Sequence, residues 1–564
     1  MGVRVLRKIS LYANTIKYLK PSQLCSRAFH RFLPVKRAAG CETAKTSVSV
    51  LIPELDLDET YLSRFDCEAL LKDQLLLLNE RHKADFTDWS VSGKTTHLWL
   101  FNLQYMEYLI PLAARWRASK EEAYYRKAKE ILLGWIQCFE KEGGDAWNPY
   151  TISERLPNWL ITMELLEDRL SGDSAFREKL EKSMYRQYKH LQANQEKHLL
   201  GNHYFENLKA LIIAAVLFDD RKNLEKYLGN FDGQIREQIP EDGMHYERSF
   251  MYHKIIMEDI LRVLAALKQV QGYGDRVKSY TAVLGKMLGC TLSFEGRLRR
   301  VPLFNDAGNN VAKPVPALEA AVRKILTEGY KVRDDIMELP DAGYYRYEWG
   351  NVACIVDCGK IGPDYIPGHG HCDCLSYELY VDGTPFLVNS GTYQYQSSKR
   401  PYFRSTRAHN CFTVNGSEQS QCWGEHRVAK RISNIKAVRG EKRFTGECLF
   451  WNGIKARRNF RFSQGHIIVE DECDRGPDAV IQSYVHLAPD VEIIKRDKKS
   501  VLLKSRGQGH EITLEVLEGE KIAVHAEDEL CWYSEEFGKV QKTNVLEITG
   551  NRVAYKLRWE IKKW

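Results

Sequence analysis

The chain has no apolar run long enough to cross a membrane, no low-complexity segment and no fixed-period repeat. Membrane-spanning helices and disordered linkers therefore drop out of consideration. Its 14 cysteines show none of the paired spacings of a zinc finger. Cys372 and Cys374 stand too close together, and Cys354 and Cys358 fall on an expected strand and at its end. Thiols scattered in this way read as buried side chains in a reducing compartment. Basic residues exceed acidic ones by only 82 − 75 = 7, and no Lys/Arg block is present. No nucleic-acid arm is expected, whereas the mild positive charge suits an anionic partner. The start, MGVRVLRKISLYANTIKYLKPSQ, lacks a signal-peptide core because Arg4, Arg7, Lys8 and Lys17 interrupt its apolar residues. A cytoplasmic protein is expected, and the basic amphipathic start leaves open a contact to a partner or a membrane surface.

What is there is 564 residues, enough for about two to four domains. Residues 1–55 read as an arm. The stretch 58–82 has a helix pattern, and amphipathic helices follow. THLWLFNLQYMEYLIPLAARW is one, with a break or kink at Pro111. KEEAYYRKAKEILLGWIQCFEK is another, and helical periodicity continues over 176–195, 207–218, 221–228, 252–270, 275–288 and 316–328. Helix pairs joined by short loops fit an α/α array, closed as a toroid or open as a solenoid. From about residue 340 the pattern becomes short alternating segments ending in turns, which fits an antiparallel β-sandwich. The expected architecture is multi-domain α then β: an arm at 1–55, an (α/α) toroid at 56–335 and a β-sandwich at 336–564.

The most informative stretch runs over 367–416. It holds PGHGHCDCLSYELYVDGTPFLVNSGTYQY and, further on, YFRSTRAHNCFTVNG. On an extended backbone His369, His371 and Asp373 would share one face. Residues 375–381 alternate like a half-buried strand, Asp382-Gly383 signals a two-residue hairpin turn, and 384–389 would be the return strand. His409 and Asn410 precede a further strand at 411–414. Three other clusters lie in the helical half: Gly201-Asn202-His203-Tyr204-Phe205-Glu206-Asn207, the turn from Pro240 to His253 containing Tyr246, Glu247, Arg248 and Tyr252, and Asn148-Pro149-Tyr150 through Trp159 with Arg155. Asn202 and His203 could simply cap a helix, and Trp159 suits either a core or a sugar face. Arg155 suits a carboxylate or sulfate.

Taken in order, these motifs resemble the heparinase II/III-like polysaccharide lyases, relatives of the alginate lyases with an α/α toroid. The resemblance covers roughly residues 90–480. It implies a toroid, a β-sandwich and a cleft between them that takes an anionic, uronate-containing polysaccharide such as a glycosaminoglycan, with no nucleic acid and no organic cofactor. The implied reaction is β-elimination. By the match of motifs, Asn202 would hold the uronate carboxylate with His203 assisting, and Tyr252 would be the acid and a candidate base. His369 would be the partner base or carboxylate neutraliser, and Tyr246 is the competing tyrosine. Arg155, Trp159, Glu247, Arg404 and Arg407 would contact substrate. His371, Asn389 and His409 fall where relatives place one structural divalent, zinc-like metal. Two departures stand out: Asn389 replaces the family's usual aspartate, and a plain hairpin register would set it opposite Ser376. The missing export signal is the second, because degradative relatives are usually exported; a periplasmic location is the alternative, and an intracellular member would act in polysaccharide assembly or turnover. Rival readings are a glycoside hydrolase using Glu206, Asp242 and Glu247, a metal-dependent hydrolase on His369, His371 and Asp373, and a non-catalytic glycan-binding protein.

Overall fold

The computed structural model describes residues 2–32, 48–296, 298, 300–326 and 329–559. Helices Gly2–Ile16 and Pro21–Phe32 open the chain. The middle of the expected arm, 33–47, lies outside the described residues, as do 327–328 at the end of the expected helix 316–328.

The single helix expected over 58–82 is absent. Glu59–Leu62 and Cys67–Leu70 are one-turn helices whose first amides are capped by Asp58 and Asp66. The leucine run after them forms an antiparallel hairpin, Gln74–Leu77 with Glu80–Asp85. Leu78 and Asn79 at its tip have φ of 50° and 61°, the turn geometry that joins two twisted strands. Consecutive leucines fit either period, so the turn decides.

Ten longer helices follow, from His97–Tyr105 to Val315–Ile325, and build the toroid. The break expected at Pro111 falls earlier, at Met106, which has a left-handed φ of 57°. Pro111 lies in the first turn of Leu109–Ser119, where its missing N–H forfeits no helical bond. Gly201–Leu217 is buried almost throughout and is wholly apolar from Ala210 on. It packs against Pro149–Leu165, Arg221–Gln238 and Phe250–Leu267. This helix starts at Gly201, not at the expected 207, so Asn202 and His203 sit in its first turn.

The strand-rich half carries an eight-stranded antiparallel sheet. Its order is Ser433–Arg439, Arg443–Leu449, Lys455–Ser463, His466–Cys473, Val553–Trp559, Glu511–Glu518, Ser500–Ser505 and Val491–Arg496. A five-stranded sheet holds Glu338–Leu339, Tyr344–Trp349, Val352–Asp357, Tyr377–Val381 and Thr384–Leu387. The two meet through aromatic faces, with Phe462 stacked 4.0 Å from Tyr347 and 4.7 Å from Trp349. Buried and open positions alternate along Lys455–Ser463, as a sheet with one covered face requires. Tyr377–Val381 is buried on both faces, not half-buried as its alternation implied, because the five-stranded sheet is covered on both sides there. The hairpin turn does form at Asp382 and Gly383, with φ of 50° and 73°. A register shift between Leu379 and Tyr380 displaces the pairing beyond it.

Candidate active site

A cleft of about 660 Å³ is lined by residues of both halves of the chain, including Asn202, His203, Tyr252, His369, Tyr395 and His426. The loop 367–376 that brings His369 to it is not an extended strand, and Leu375 at its end has φ of 69°. The histidines are nevertheless gathered on one side, by a residue the motif reading missed. Asp306 accepts from His369 Nδ1 at 3.0 Å and His371 Nε2 at 2.9 Å. It also forms a two-pronged ion pair with Arg400, with Nη2 to Oδ2 at 2.7 Å. Asp306 is fully buried, which opposes its ionisation, but the Arg400 guanidinium and the two histidines more than reverse this and hold its carboxyl well below the usual range. A carboxylate can only accept, so His369 Nδ1 carries a proton, and in the neutral ring Nε2 is the acceptor that faces the cleft. Arg404 clamps the same loop: its Nε and Nη2 donate to the carbonyl of Gly370 at 3.1 and 2.9 Å. Gly370 leaves room for nothing larger, since a Cβ there would lie 1.7 Å from the carbonyl oxygen of Ile361.

Asn202 faces His369 across the cleft, its Nδ2 3.2 Å from His369 Nε2. Glu247 holds Asn202 in place by accepting from its backbone N at 3.0 Å and its Nδ2 at 2.9 Å. Gly201 allows that approach with φ of 60°, and a Cβ there would lie 2.7 Å from the Glu247 carboxylate. Tyr252 lies in the first turn of Phe250–Leu267, capped by Ser249, with its ring centroid 4.0 Å from that of His369. Its hydroxyl pairs with that of Tyr395 at 2.8 Å, and burial raises the phenol pKa well above its usual range. His203 Nδ1 lies 3.2 Å from Glu196. Burial works against its charged form, but Glu196 outweighs that and raises its pKa.

The remaining expected site residues sit elsewhere. Tyr246 is behind the cleft wall, its hydroxyl bonded to that of Tyr365 at 3.0 Å. Arg155 is wholly buried, donating to Gln187 Oε1 and to the carbonyls of Gln104 and Ala146 and stacking 4.2 Å over Trp135. Trp159 is also wholly buried, edge-on to Trp135 at 5.3 Å. Both belong to the toroid core and are out of reach of a substrate. Glu247 and Arg404 are spent on Asn202 and the Gly370 loop, so they position the site and do not line it. Arg407 is exposed and outside the cleft lining. Of the residues missed, Asp306 stood in plain polar company, Phe304-Asn305-Asp306-Ala307-Gly308-Asn309-Asn310, a signal for a functional connector. Tyr395, Arg400 and His426 lay within or beside the histidine stretch without a pattern of their own.

Behind His369, the ligand-capable atoms of His371, Asp373 and His409 lie within 4.8 Å of one another, all buried. Neither ring nitrogen of His409 nor Nδ1 of His371 meets hydrogen-bond geometry with a protein partner, although the backbone of Phe403 lies near enough to His409 to favour its charged form weakly against burial. Buried imidazole nitrogens left this way fit a cation. The expected third ligand, Asn389, fits less well. Its carbonyl oxygen accepts from Asn410 N at 3.2 Å, and its unpartnered atom is the Nδ2 donor. The group that geometry assembles has Asp373 in its place. A second group, Asp306, His369 and His426, already has its carboxylate saturated by Arg400.

An α/α toroid joined to an antiparallel β-sandwich, with a histidine loop of the second meeting a helix start of the first, is the class of protein these features define. The chain belongs to the heparinase II/III-like family. The family model described as heparinase II/III N-terminus matches residues 69–326, and that described as heparinase II/III-like, C-terminal, matches 332–562. The heparin-sulfate lyase of Pedobacter heparinus is 23% identical over 339 residues, 54% of this chain and 50% of that protein. The heparin-sulfate lyase of Bacteroides thetaiotaomicron is 22% identical over 356 residues, 55% of this chain and 50% of that protein. The chain thus spans about half the length of the curated relatives it matches. A crystal structure of heparinase III superposes with a TM-score of 0.69 at 17% identity, covering 96% of this chain and 91% of that one, a likeness of fold.

Proposed function

We propose that the protein is a polysaccharide lyase that cleaves a uronate-containing anionic glycan by β-elimination. The observation that carries this reading is the meeting of Asn202, Tyr252 and His369 at one point of the cleft. The family, whose curated relatives are named heparin-sulfate lyases, supports it.

The C5 proton of a uronate is weakly acidic, so its carboxylate must be neutralised as charge develops. Asn202 Nδ2 is the donor for that oxygen, and His203, held toward its charged form by Glu196, adds a positive charge beside it. His369 Nε2, the acceptor of the neutral ring because Asp306 fixes a proton on Nδ1, takes the C5 proton. The C4–O4 bond breaks with its electron pair on O4, and the Tyr252 hydroxyl, kept protonated by burial, supplies the proton there. The products are a 4,5-unsaturated uronate and a saturated fragment. A glycoside hydrolase needs two carboxylates facing the bond, yet the only carboxylate among the described residues lining the cleft is Asp364. Glu206 is buried against Lys209, Asp242 caps Met244 and Ala342, and Glu247 is engaged by Asn202.

His371, Asp373 and His409 are the residues that would hold a divalent ion, whose charge would tie the histidine loop to the strand Phe412–Val414. The test of function is incubation of purified protein with alginate, hyaluronan, chondroitin sulfate and heparan sulfate. A new ultraviolet absorbance from unsaturated uronate is expected with at least one of them. Reducing ends without that absorbance would overturn the reading.

A further inference from the structure

The N-terminal arm spans both halves of the molecule at one end of the cleft. On the toroid side, Gln23 is wholly buried and its Nε2 donates to the carbonyl of Leu199 at 2.9 Å, while Lys20 pairs with Glu237. On the sandwich side, Trp423 Nε1 donates to Thr15 Oγ1 at 3.0 Å, and the Trp423 ring meets Tyr12 edge-on at 4.8 Å. Arg431 stacks 3.7 Å over Tyr18. Gln23 and Arg27, four residues apart on one face of Pro21–Phe32, line the cleft together with Thr15 and Leu19.

The charges at this end are unbalanced. Arg431 has Asp364, with Nη1 donating to its carbonyl at 2.7 Å and the carboxylate at 3.8 Å. Arg427 lies 4.8 Å over the Trp423 ring and 5.8 Å over Tyr12, and among the described residues no carboxylate comes within ion-pair distance of it. Arg27 is close enough to Arg427 for the second cation, after burial, to disfavour the charge of the first. Two cations held near each other on an anchored wall are at their most stable with an anion between them.

We propose that Arg27 of the arm and Arg427 of the hairpin Cys422–Trp423/Arg427–Val428 form a second anionic subsite that closes one end of the cleft. It takes a carboxylate or sulfate on a sugar beyond the reacting uronate. This deepens the lyase reading and rests on it for the place of the reacting sugar, but it is tested by binding, without turnover.

The experiment uses the full chain with Arg27→Gln, Arg427→Gln, both together, and Arg496→Gln on an exposed strand as a control. Affinity for alginate, hyaluronan and heparan sulfate oligosaccharides of graded length is followed by tryptophan fluorescence at low and high salt. Each subsite variant is expected to weaken binding by about threefold to tenfold at low salt, only for oligosaccharides long enough to pass the reacting uronate. The control should leave affinity unchanged. A difference between alginate, which has carboxylate only, and sulfated ligands identifies the anion. Affinities equal to the unaltered protein at every length, or no charge-dependent binding to any of these glycans, would overturn the subsite. Unsaturated product formed with unaltered affinities would leave the lyase reading standing without it. Weakened binding without any elimination would do the reverse.

Discussion

Asp306 sets the chemistry of its neighbours through one buried negative charge. It balances Arg400, fixes the tautomer of His369 and occupies His371 Nε2. Asp306→Asn keeps the shape and removes the charge, leaving Arg400 buried without a counter-ion. The expected loss of stability is about 3–5 kcal/mol, read as a fall in the denaturant midpoint, together with loss of turnover. An Asp306→Asn protein as stable as the original would mean that Arg400 finds another acceptor. At Tyr252, Tyr252→Phe removes the proton proposed for O4 and almost no volume. Turnover should drop by about 10²–10⁴-fold with the fold and glycan affinity retained. Tyr246→Phe, one layer behind, should cost far less, because that hydroxyl meets only Tyr365. Near-normal rates in Tyr252→Phe with collapse in Tyr246→Phe would transfer the acid role to Tyr246.

At the scale of elements, the loop 367–376 is held from three directions: by Asp306, by Arg404 on the Gly370 carbonyl, and by Arg458. Arg458 donates to the carbonyls of Leu375 and Asn410 at 2.9 and 2.6 Å while paired with Asp471 inside the sandwich. An ion held by His371, Asp373 and His409 would add a fourth tie between this loop and Phe412–Val414. His371→Ala, Asp373→Asn and His409→Ala should then each lower Tm and the metal content found by elemental analysis, and chelation should lower the Tm of the unaltered protein. His369→Ala should abolish turnover with little change in Tm. Protein that carries no metal after loading with zinc, and melts unchanged on chelation, would remove the ion from the account. Asn389→Asp brings a carboxylate to the expected third position; because its carbonyl already serves Asn410, its gain in metal affinity should be smaller than the loss in Asp373→Asn.

Over the whole molecule, buried histidines and buried carboxylates pull the pH dependence in opposite directions: burial raises Glu206 and Glu378 to about 7, so the fold takes up protons there as pH falls, whereas two histidines of the toroid do the reverse. Burial holds His253 down to about 4 from 6.5, the backbone carbonyl of Met287 only partly opposing it, and burial puts His245 well below its ordinary value. Between about pH 6.5 and 4 the unfolded chain binds protons at these positions and the folded chain does not. The contribution of these two histidines is therefore full above pH 6.5 and falls as pH drops, by about 1.4 kcal/mol per pH unit for each. Denaturant midpoints of His253→Gln should fall less between pH 7 and 4 than those of the unaltered protein; an equal decline in both would show that this ring is protonated in the fold.

The sequence by itself determined the order of helices then strands, because periodicity is local: a 3.6-residue repeat writes the toroid helices and a two-residue repeat writes Lys455–Ser463. It also pointed to Asn202, Tyr252 and His369, through the family resemblance that their dense polar motifs carry. Tertiary structure decided the rest. Val553–Trp559, last in the chain, pairs between His466–Cys473 and Glu511–Glu518, and no local pattern states a partner. Arg155 and Trp159 resembled a sugar-binding pair until burial against Trp135 made them core. Asp306, whose polar connector says nothing of its partners, became the centre of the site because only the folded chain brings it within 3.0 Å of His369, where burial turns a connector carboxylate into the charge that orders the others.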